Sequence, residues 1–231
     1  MNSSALRKVI EAQIPSAFSL PRRAEGRFFP TGLTAIDRLT GGVPVGALTE
    51  ICGSAVASSG KTSLVVSLLA HARQFCALVD ANDAFDPASA AAAGVNLSRM
   101  LWVRCGKTRQ KLRPLEQAFK AADVLLQSGG FGLIVLDISG IPESVVRKIP
   151  LTSWFRLSRV VEKMPTALVF IEQQPHAASC AGLVLNLLNK PPVWSGNLLT
   201  RCSMEVEVIR GAEKKRAHSA NPVVSLRAQW A

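Results

Sequence analysis

The sequence is short of charge and contains no long apolar run. Only 19% of its 231 residues are charged and 48% are hydrophobic, which excludes a disordered chain and is enough for one domain with an ample core. No apolar run reaches the roughly 18 residues that a membrane-spanning helix needs. Arg7 and Lys8 lie before Pro15 without the hydrophobic segment of a signal peptide. We therefore expect no membrane association and no export.

Cysteine is scarce and irregularly placed. The five cysteines are odd in number and form no Cys-x-x-Cys pair, so buried reduced thiols are favoured over a metal or disulfide framework. Their positions are Cys52, Cys76, Cys105, Cys180 and Cys202. Reduced thiols in a chain without an export signal predict a cytoplasmic protein.

Positive charge is in excess, with 27 lysines and arginines against 16 acidic residues and a formal net charge of +11. Such an excess attracts phosphate backbones. The alternative is a basic surface that serves solubility or an acidic protein partner. The stretch from Lys107 to Arg113, with a basic residue at every second position, is open to the same two interpretations.

A loop of small residues between an apolar run and a helical segment is the most informative motif. It reads E-I-C-G-S-A-V-A-S-S-G-K-T-S from Glu50 to Ser63. In such a loop the backbone N–H groups face a polyphosphate, the lysine reaches the outer phosphates and the following hydroxyl ligates Mg²⁺. The strict spacing G-x-x-x-x-G-K-[ST] is not met, because Ala55 stands where the first glycine belongs and Gly53 lies two residues further back. We predict a phosphate loop lengthened by two residues, with Gly53, Ser58, Ser59, Gly60, Lys61, Thr62 and Ser63 as nucleotide-binding residues.

The alternation of apolar runs and helical periodicity predicts an α/β fold. Continuous apolar runs, typical of parallel strands covered on both faces, end at Asp80, Asp137 and Ile171, and a further strand covers residues 101–103. Helices are predicted over 34–39, 62–74, 88–93, 114–127, 150–163 and 182–188. Alternating segments at 201–210 and 223–230 predict an antiparallel hairpin joined by a basic turn. Four β–α alternations followed by a hairpin indicate three layers.

The N-terminal residues predict a short helix and an extended arm. Leu6, Val9, Ile10 and Ile14 fall at helical spacing and Pro15 stops the helix. Such a helix is too short to be stable alone, so it docks on its own domain or on a neighbour. We predict an N-terminal helix and arm over residues 1–27 and a core domain over 28–231.

Taken in order, these motifs resemble the ATPase core of the bacterial recombinase RecA. The matching segments span residues 28 to about 228 and are 31–32, 39–46, 50–53, 58–62, 79–81, 84–87, the strand ending at Asp137, and 170–173. The resemblance implies a three-layer RecA-like P-loop fold, with a mostly parallel sheet and a C-terminal antiparallel hairpin, but without the large C-terminal domain of RecA. It also implies ATP and Mg²⁺, with Thr62 and, indirectly, Asp137 at the metal and Gln173 sensing the γ-phosphate.

The sequence departs from RecA at the catalytic carboxylate. RecA has a glutamate directly after its Asp-Ala pair, whereas here Asn82 follows the pair Asp80-Ala81 and Asp83 comes one residue later. Asparagine orients a water molecule but cannot accept its proton, and losing a general base costs about 10²–10⁴ in rate. We therefore assign no catalytic residue beyond this position and expect slow or absent hydrolysis.

Within the family, the chain is most similar to the shortened, RecA-like ImuA proteins, which accompany a Y-family polymerase homologue in damage-induced, SOS-type translesion synthesis. The residues that carry this similarity are Ile14-Pro15-x-x-Phe18, Asp86-Pro87 and 101–105. It implies an accessory protein that binds single-stranded DNA, the polymerase homologue with its error-prone complex, and RecA. The alternatives are an active DNA-dependent ATPase or recombinase of the same family, and a small-molecule kinase, against which the missing lid-like arginine cluster argues.

The residues expected to contact DNA follow the sensing glutamine. In RecA the stretch after this glutamine includes a loop that touches single-stranded DNA, but residues 174–197 hold only Lys190, His176 and Trp194 as basic or aromatic groups. We predict that His176 is a solvated loop residue. The DNA-binding candidates are Lys190, Arg201, Arg210, Lys214, Lys215 and Arg216, with solubility of the hairpin as the alternative role.

Overall fold

The computed structural model describes residues 27–54, 59–106, 113–211 and 223–227. Over these residues it contains eleven strands, which are β1 (Phe28–Phe29), β2 (Val43–Pro44), β3 (Leu48–Gly53), β4 (Cys76–Asp80), β5 (Met100–Arg104), β6 (Leu133–Asp137), β7 (Ala167–Glu172), β8 (Ala181–Asn189), β9 (Val193–Ser195), β10 (Leu198–Arg210) and β11 (Val223–Arg227). The α-helices in the same residues are α1 (Thr34–Thr40), α2 (Lys61–Ala70), α3 (Pro87–Ala92), α4 (Pro114–Ser128), α5 (Glu143–Val146) and α6 (Leu151–Val161).

One large sheet organises these elements. Its strand order is β11-β10-β8-β3-β7-β6-β4-β5, with β9 paired to β10. Neighbouring strands from β8 to β5 are parallel, whereas β10 pairs antiparallel with β8, β9 and β11. The predicted α/β class, the mostly parallel sheet and the terminal antiparallel hairpin are confirmed.

The central strands are buried on both faces, because helices cover each side of the sheet. Every residue of β3, β4 and β7 is buried. On one face Trp154 of α6 packs against Phe119 of α4 and Phe170 of β7. On the other face Leu64 and Leu68 of α2 pack in the cluster that contains Ile51 of β3. This is the arrangement that continuous apolar runs predict.

The prediction of a helix over residues 182–188 is wrong, because these residues belong to strand β8. Their backbone groups pair with β3 on one side, where Gly53 lies opposite Leu187, and with β10 on the other. A short apolar run fits a buried strand as well as a buried helix, and periodicity alone does not separate the two. The edge of β3 that faces away from β7 determines the structure of this segment. Only a strand can form hydrogen bonds with the N–H and C=O groups along that edge.

The other predicted elements are present with shifted ends. The helix predicted to end at residue 74 ends at Ala70, and the one predicted from residue 150 begins at Leu151 and follows a separate short helix, α5. The predicted N-terminal helix and the basic turn of the terminal hairpin lie outside the described residues. Among the described helices none is long and apolar enough to cross a membrane.

A candidate nucleotide-binding site at the carboxyl edge of the sheet

The predicted phosphate loop starts at the end of the central strand and leads into α2. Strand β3 ends at Gly53 and α2 begins at Lys61. The carboxyl ends of β4, β6 and β7 lie at the same edge, with Asp80 directly opposite Asp137 in the register of β4 and β6. Ligands of open α/β sheets bind at this edge, outside the carboxyl ends of the strands. The fold therefore brings the predicted loop, Asp137 and Gln173 to one place.

Gly60 sets the geometry of the loop's end. It caps α2 with φ 80° and ψ 7°, a left-handed conformation that favours glycine. A Cβ at Gly60 would lie 2.7 Å from the sulfur of Met204, so the position is also crowded. The preceding residue, Ser59, is buried, and its hydroxyl has no hydrogen-bond partner among the described residues. A phosphate oxygen at this helix N-terminus would satisfy that hydroxyl, so these residues fit a nucleotide.

Lys61 is held by backbone carbonyls across the start of the loop. Its ammonium group donates to the carbonyl oxygen of Gly53 at 2.5 Å, and lies 3.4 Å from those of Ser54 and Glu172. Partial burial lowers the pKa of Lys61, and the nearby carboxylate of Asp137 opposes this effect. The lysine side chain is therefore seated between the ends of β3 and β7. Thr62 and Ser63 follow it at exposed positions in the first turn of α2, and Ser58 lies outside the described residues.

Asp137 is the carboxyl group whose charge acts on this lysine. Its Oδ1 accepts hydrogen bonds from the backbone N–H and the hydroxyl of Ser139, at 3.0 and 2.7 Å. Burial raises the pKa of Asp137, while the Ser139 hydrogen bonds and Lys61 lower it. Asp80 has a different role, because its two carboxylate oxygens accept the backbone N–H groups of Asn82 and Phe85 and so fix the turn after β4. Asp137 is thus the group suited to hold a Mg²⁺-bound water.

The two residues at the predicted catalytic position point in different directions. The side-chain amide of Asn82 lies 3.3 Å from Asp137 Oδ1, towards the centre of the carboxyl edge. The carboxylate of Asp83 instead binds the guanidinium group of Arg104, at 2.6 and 2.8 Å, at the end of β5. Asp83 adopts φ 55°, a left-handed backbone conformation. The side chain that faces the site is therefore an amide, and the carboxylate next to it is turned to the edge strand.

Gln173 follows the last residue of β7. Its amide nitrogen donates to the carbonyl oxygens of Ser139 and Ile141, at 2.9 and 3.2 Å. These carbonyls belong to the segment after β6, the same segment that holds Asp137 through Ser139. The predicted sensor therefore links the ends of β6 and β7 beside the lysine.

Sequence reasoning missed a buried acidic cluster beneath the loop. Glu50 of β3 and Glu172 of β7 are both 0% exposed. The prediction that His176 is a solvated loop residue is wrong, because its side chain is only 11% exposed and its Nδ1 lies 2.9 Å from Glu172 Oε2. The only sequence signal is that these glutamates stand within or at the end of otherwise apolar strands.

The predicted DNA-contacting residues are only partly described. Lys190 forms an ion pair with Glu205 at 2.5 Å, and Arg210 donates to the carbonyl oxygen of Ala178. The backbone of Arg201 lies in β10, while its side chain and the basic turn of Lys214, Lys215 and Arg216 lie outside the described residues, as do residues 107–112. Because residues 181–189 form β8, the segment after Gln173 is a short connection of seven residues, 174–180, rather than a long loop.

Comparison with known proteins identifies the family. The model of the RecA N-terminal domain matches residues 21–148, more than half of the chain. The RecA protein of Rickettsia bellii is 40% identical over 100 residues, which are 42% of this chain and 26% of that protein. The RecA protein of Methylococcus capsulatus is 42% identical over 113 residues, 47% of this chain and 30% of that protein. For the RecA protein of Chloroflexus aurantiacus the values are 32% identity over 163 residues, 62% of this chain and 44% of that protein.

Each of these three matches covers less than half of the relative's own length. Among solved structures, the RadB recombinase superimposes with a TM-score of 0.61 at 18% identity, over 87% of this chain and 96% of that one. At this identity the superposition shows the fold alone. The family match over residues 21–148 includes the lysine of the phosphate loop and the aspartate at the end of β6, so sequence and geometry agree. The chain belongs to the RecA family.

Proposed function

We propose that this protein is a RecA-family accessory factor of the ImuA type, which supports damage-induced translesion synthesis and binds ATP and Mg²⁺ with weak or lost hydrolysis. The observation that carries the proposal is the orientation of Asn82 towards Asp137 while Asp83 is bound to Arg104. The residues that would hold the nucleotide are present around this position, where the catalytic carboxylate is replaced by an amide. The protein acts in the cytoplasm, with a helix and arm over residues 1–27 attached to a core over residues 28–231.

Bound ATP would supply the phosphate groups. Bound Mg²⁺ would supply the positive charge that holds these groups in place. Lys61 would contact the outer phosphates, the hydroxyls of Ser59 and Thr62 would approach a phosphate and the metal, and Asp137 would hold a metal-bound water. Gln173 would report the γ-phosphate to the segment that carries Ser139. Without a carboxylate facing the attacking water, the proton of that water has no acceptor at Asn82, so the bound nucleotide is held rather than consumed.

Lys61→Ala is expected to weaken ATP binding about 10- to 100-fold. A hydrogen bond to a charged group contributes about 1.5–3 kcal/mol, and each 1.4 kcal/mol corresponds to a factor of ten in affinity. Titration with a fluorescent ATP analogue measures the effect. Lys163→Ala, which removes an exposed lysine beyond the end of α6, is the matched control and should bind as the unchanged protein does. Equal affinity of the Lys61→Ala protein would show that the loop does not hold the triphosphate.

The accessory role depends on partners. We expect the purified protein to bind single-stranded DNA, because its net charge of +11 favours polyanions. We also expect it to capture the Y-family polymerase homologue in pull-down experiments. Single-stranded DNA binding should weaken steeply as salt is raised. Failure to bind both partners would remove the basis of the proposal.

The second candidate is a working DNA-dependent ATPase or recombinase, which the retained Lys61, Asp137 and Gln173 favour. Phosphate release that is stimulated by single-stranded DNA and lost in the Lys61→Ala protein would support it over the accessory role. In that case the polymerase homologue would not be needed for the protein to act.

A further inference from the structure

Two glutamates meet in the interior below the phosphate loop. In the register of β3 and β7, Glu50 lies opposite Phe170 and Glu172 lies opposite Cys52. Residues opposite each other in a sheet project from the same face, so both carboxyl groups lie on adjacent strands on the side covered by α6. Both side chains are fully buried. Two neighbouring anions inside a protein repel strongly.

The hydrogen bonds of the pair are complete except for one position on each group. Glu50 Oε1 accepts the backbone N–H groups of His176 and Ala177, each at 2.6 Å. Glu172 Oε2 lies 2.9 Å from Nδ1 of His176. The remaining oxygens, Glu50 Oε2 and Glu172 Oε1, are buried and have no hydrogen-bond partner among the described residues. A single proton shared by the two carboxyl groups would satisfy both oxygens and remove one of the two negative charges.

The surrounding groups do not replace that proton. The ammonium group of Lys61 contacts the backbone oxygen of Glu172, and Arg210 binds the carbonyl oxygen of Ala178. The thiols of Cys52 and Cys180 have pKa values raised by burial and stay neutral. Burial, reinforced by Glu50, raises the pKa of Glu172 well above its usual range. His176 is the remaining titratable group that faces the pair, through Glu172 Oε2.

The segment that the pair holds is strained. Residues 174–180 connect β7 to β8, and Ala178 within them adopts φ 48°, a left-handed conformation that is unfavourable for alanine. Other contacts must therefore hold the segment in this conformation, because its backbone does not favour it. Glu50 fixes it at His176 and Ala177, and Arg210 fixes it at Ala178. Its first neighbour in the chain is Gln173, at the nucleotide site.

We propose that Glu50 and Glu172 share one proton, and that this proton locks residues 174–180 against the carboxyl edge of the sheet. When the proton is lost to solvent, two adjacent buried anions remain, and the segment moves away so that the carboxylates become hydrated. The segment beside Gln173 is then a pH-responsive element. This inference goes beyond the proposed function and does not depend on it, because it concerns the protein without nucleotide.

The exchange of the His176 and Ala177 amide hydrogens tests the proposal. The locked segment retains the proton up to the raised pKa of Glu172. In an opened segment the same carboxyl group would have the ordinary glutamate pKa of about 4.3 and lose its proton there. Between these values opening releases one proton, so amide protection should fall about tenfold for each pH unit as the pH rises. Hydrogen exchange of the full chain without nucleotide, corrected for the intrinsic pH dependence of exchange, measures this slope by mass spectrometry.

Glu172→Gln separates the shared proton from packing. Glutamine keeps the size of the side chain and a donor towards Glu50 but cannot ionise, so protection of His176 and Ala177 should become independent of pH after the same correction. Glu162→Gln, the same change at an exposed position just after α6, should keep the slope of the unchanged protein. An equal slope in the Glu172→Gln protein, or no slope in the unchanged protein, would overturn the proposal.

Carboxyl carbon NMR of the unchanged protein gives a second measurement that needs no folded variant. We expect one glutamate resonance to titrate well above the others and to disappear in the Glu172→Gln protein if that protein folds. Ordinary titration of every glutamate would refute the shared proton. So would nitrogen chemical shifts showing that the proton resides on His176 throughout the range in which the segment is locked.

Discussion

Asn82→Glu is expected to raise the rate of ATP hydrolysis by about 10²–10⁴-fold, the contribution that a positioned general base makes. The amide of Asn82 already lies 3.3 Å from Asp137 Oδ1, so a carboxylate on this residue enters the carboxyl edge of the sheet beside the loop. There it can accept the proton of a water that attacks the γ-phosphate. Phosphate release under saturating ATP and Mg²⁺, compared with the unchanged protein, measures the gain.

Two control variants isolate the role of the carboxylate. Asn82→Gln lengthens the side chain by the same amount but remains neutral, so it should not accelerate hydrolysis. Asp83→Asn should leave the rate unchanged, because the Asp83 carboxylate is bound to Arg104 at the end of β5. Brisk hydrolysis by the unchanged protein that disappears in the Asp83→Asn protein would show that Asp83 is the base and that the expectation is wrong.

Trp154→Ala is expected to lower the free energy of unfolding by about 3–5 kcal/mol, the usual cost of removing a large aromatic side chain from a core. Trp154 is 1% exposed. Its ring packs edge-on against Phe119 at 5.1 Å and lies 4.7 Å from that of Phe170, so its loss leaves a cavity between α4, α6 and the sheet. Urea denaturation followed by far-ultraviolet circular dichroism measures the change without relying on tryptophan emission.

Trp194→Ala provides the matched comparison. Trp194 lies in β9 with 55% of its surface exposed, and exposed substitutions usually change stability by less than about 0.5 kcal/mol. If the two variants lost similar stability, the aromatic cluster around Trp154 would not be the main packing centre of that face. A fall in the slope of the denaturation curve for Trp154→Ala alone would indicate a less compact native state.

The strands of the parallel sheet could be predicted from the sequence because burial on both faces leaves a direct mark. The apolar runs ending at Asp80 and Asp137 correspond to β4 and β6, and the run to Ile171 continues one residue further in β7. Strand β8 could not be predicted from its apolar run. Its apolar run is short, and the deciding factor is a free hydrogen-bonding edge on β3, which is a property of the assembled sheet rather than of the segment.

In the candidate site, too, some features follow from local sequence and others from the assembled sheet. Spacing and residue type predict Lys61 and Asp137, because a strand, a glycine turn and a helix place them together by local geometry. The different directions of Asn82 and Asp83 depend on the left-handed backbone of Asp83 and on Arg104 in the neighbouring strand. Strand register places Glu50 and Glu172, which are distant in the chain, on the same face of adjacent strands, and no local pattern encodes that register.

The seating of Lys61 on three carbonyl groups has a consequence for ligand choice. An incoming anion must draw the ammonium group away from Gly53, Ser54 and Glu172, and these oxygens must then find water or a metal-bound water instead. A singly charged anion gains too little from one lysine to offset that exchange, whereas a polyphosphate engages the lysine and the helix N-terminus together. We therefore expect the proposed nucleotide site to select ligands by their number of negative charges before it selects them by the shape of the base.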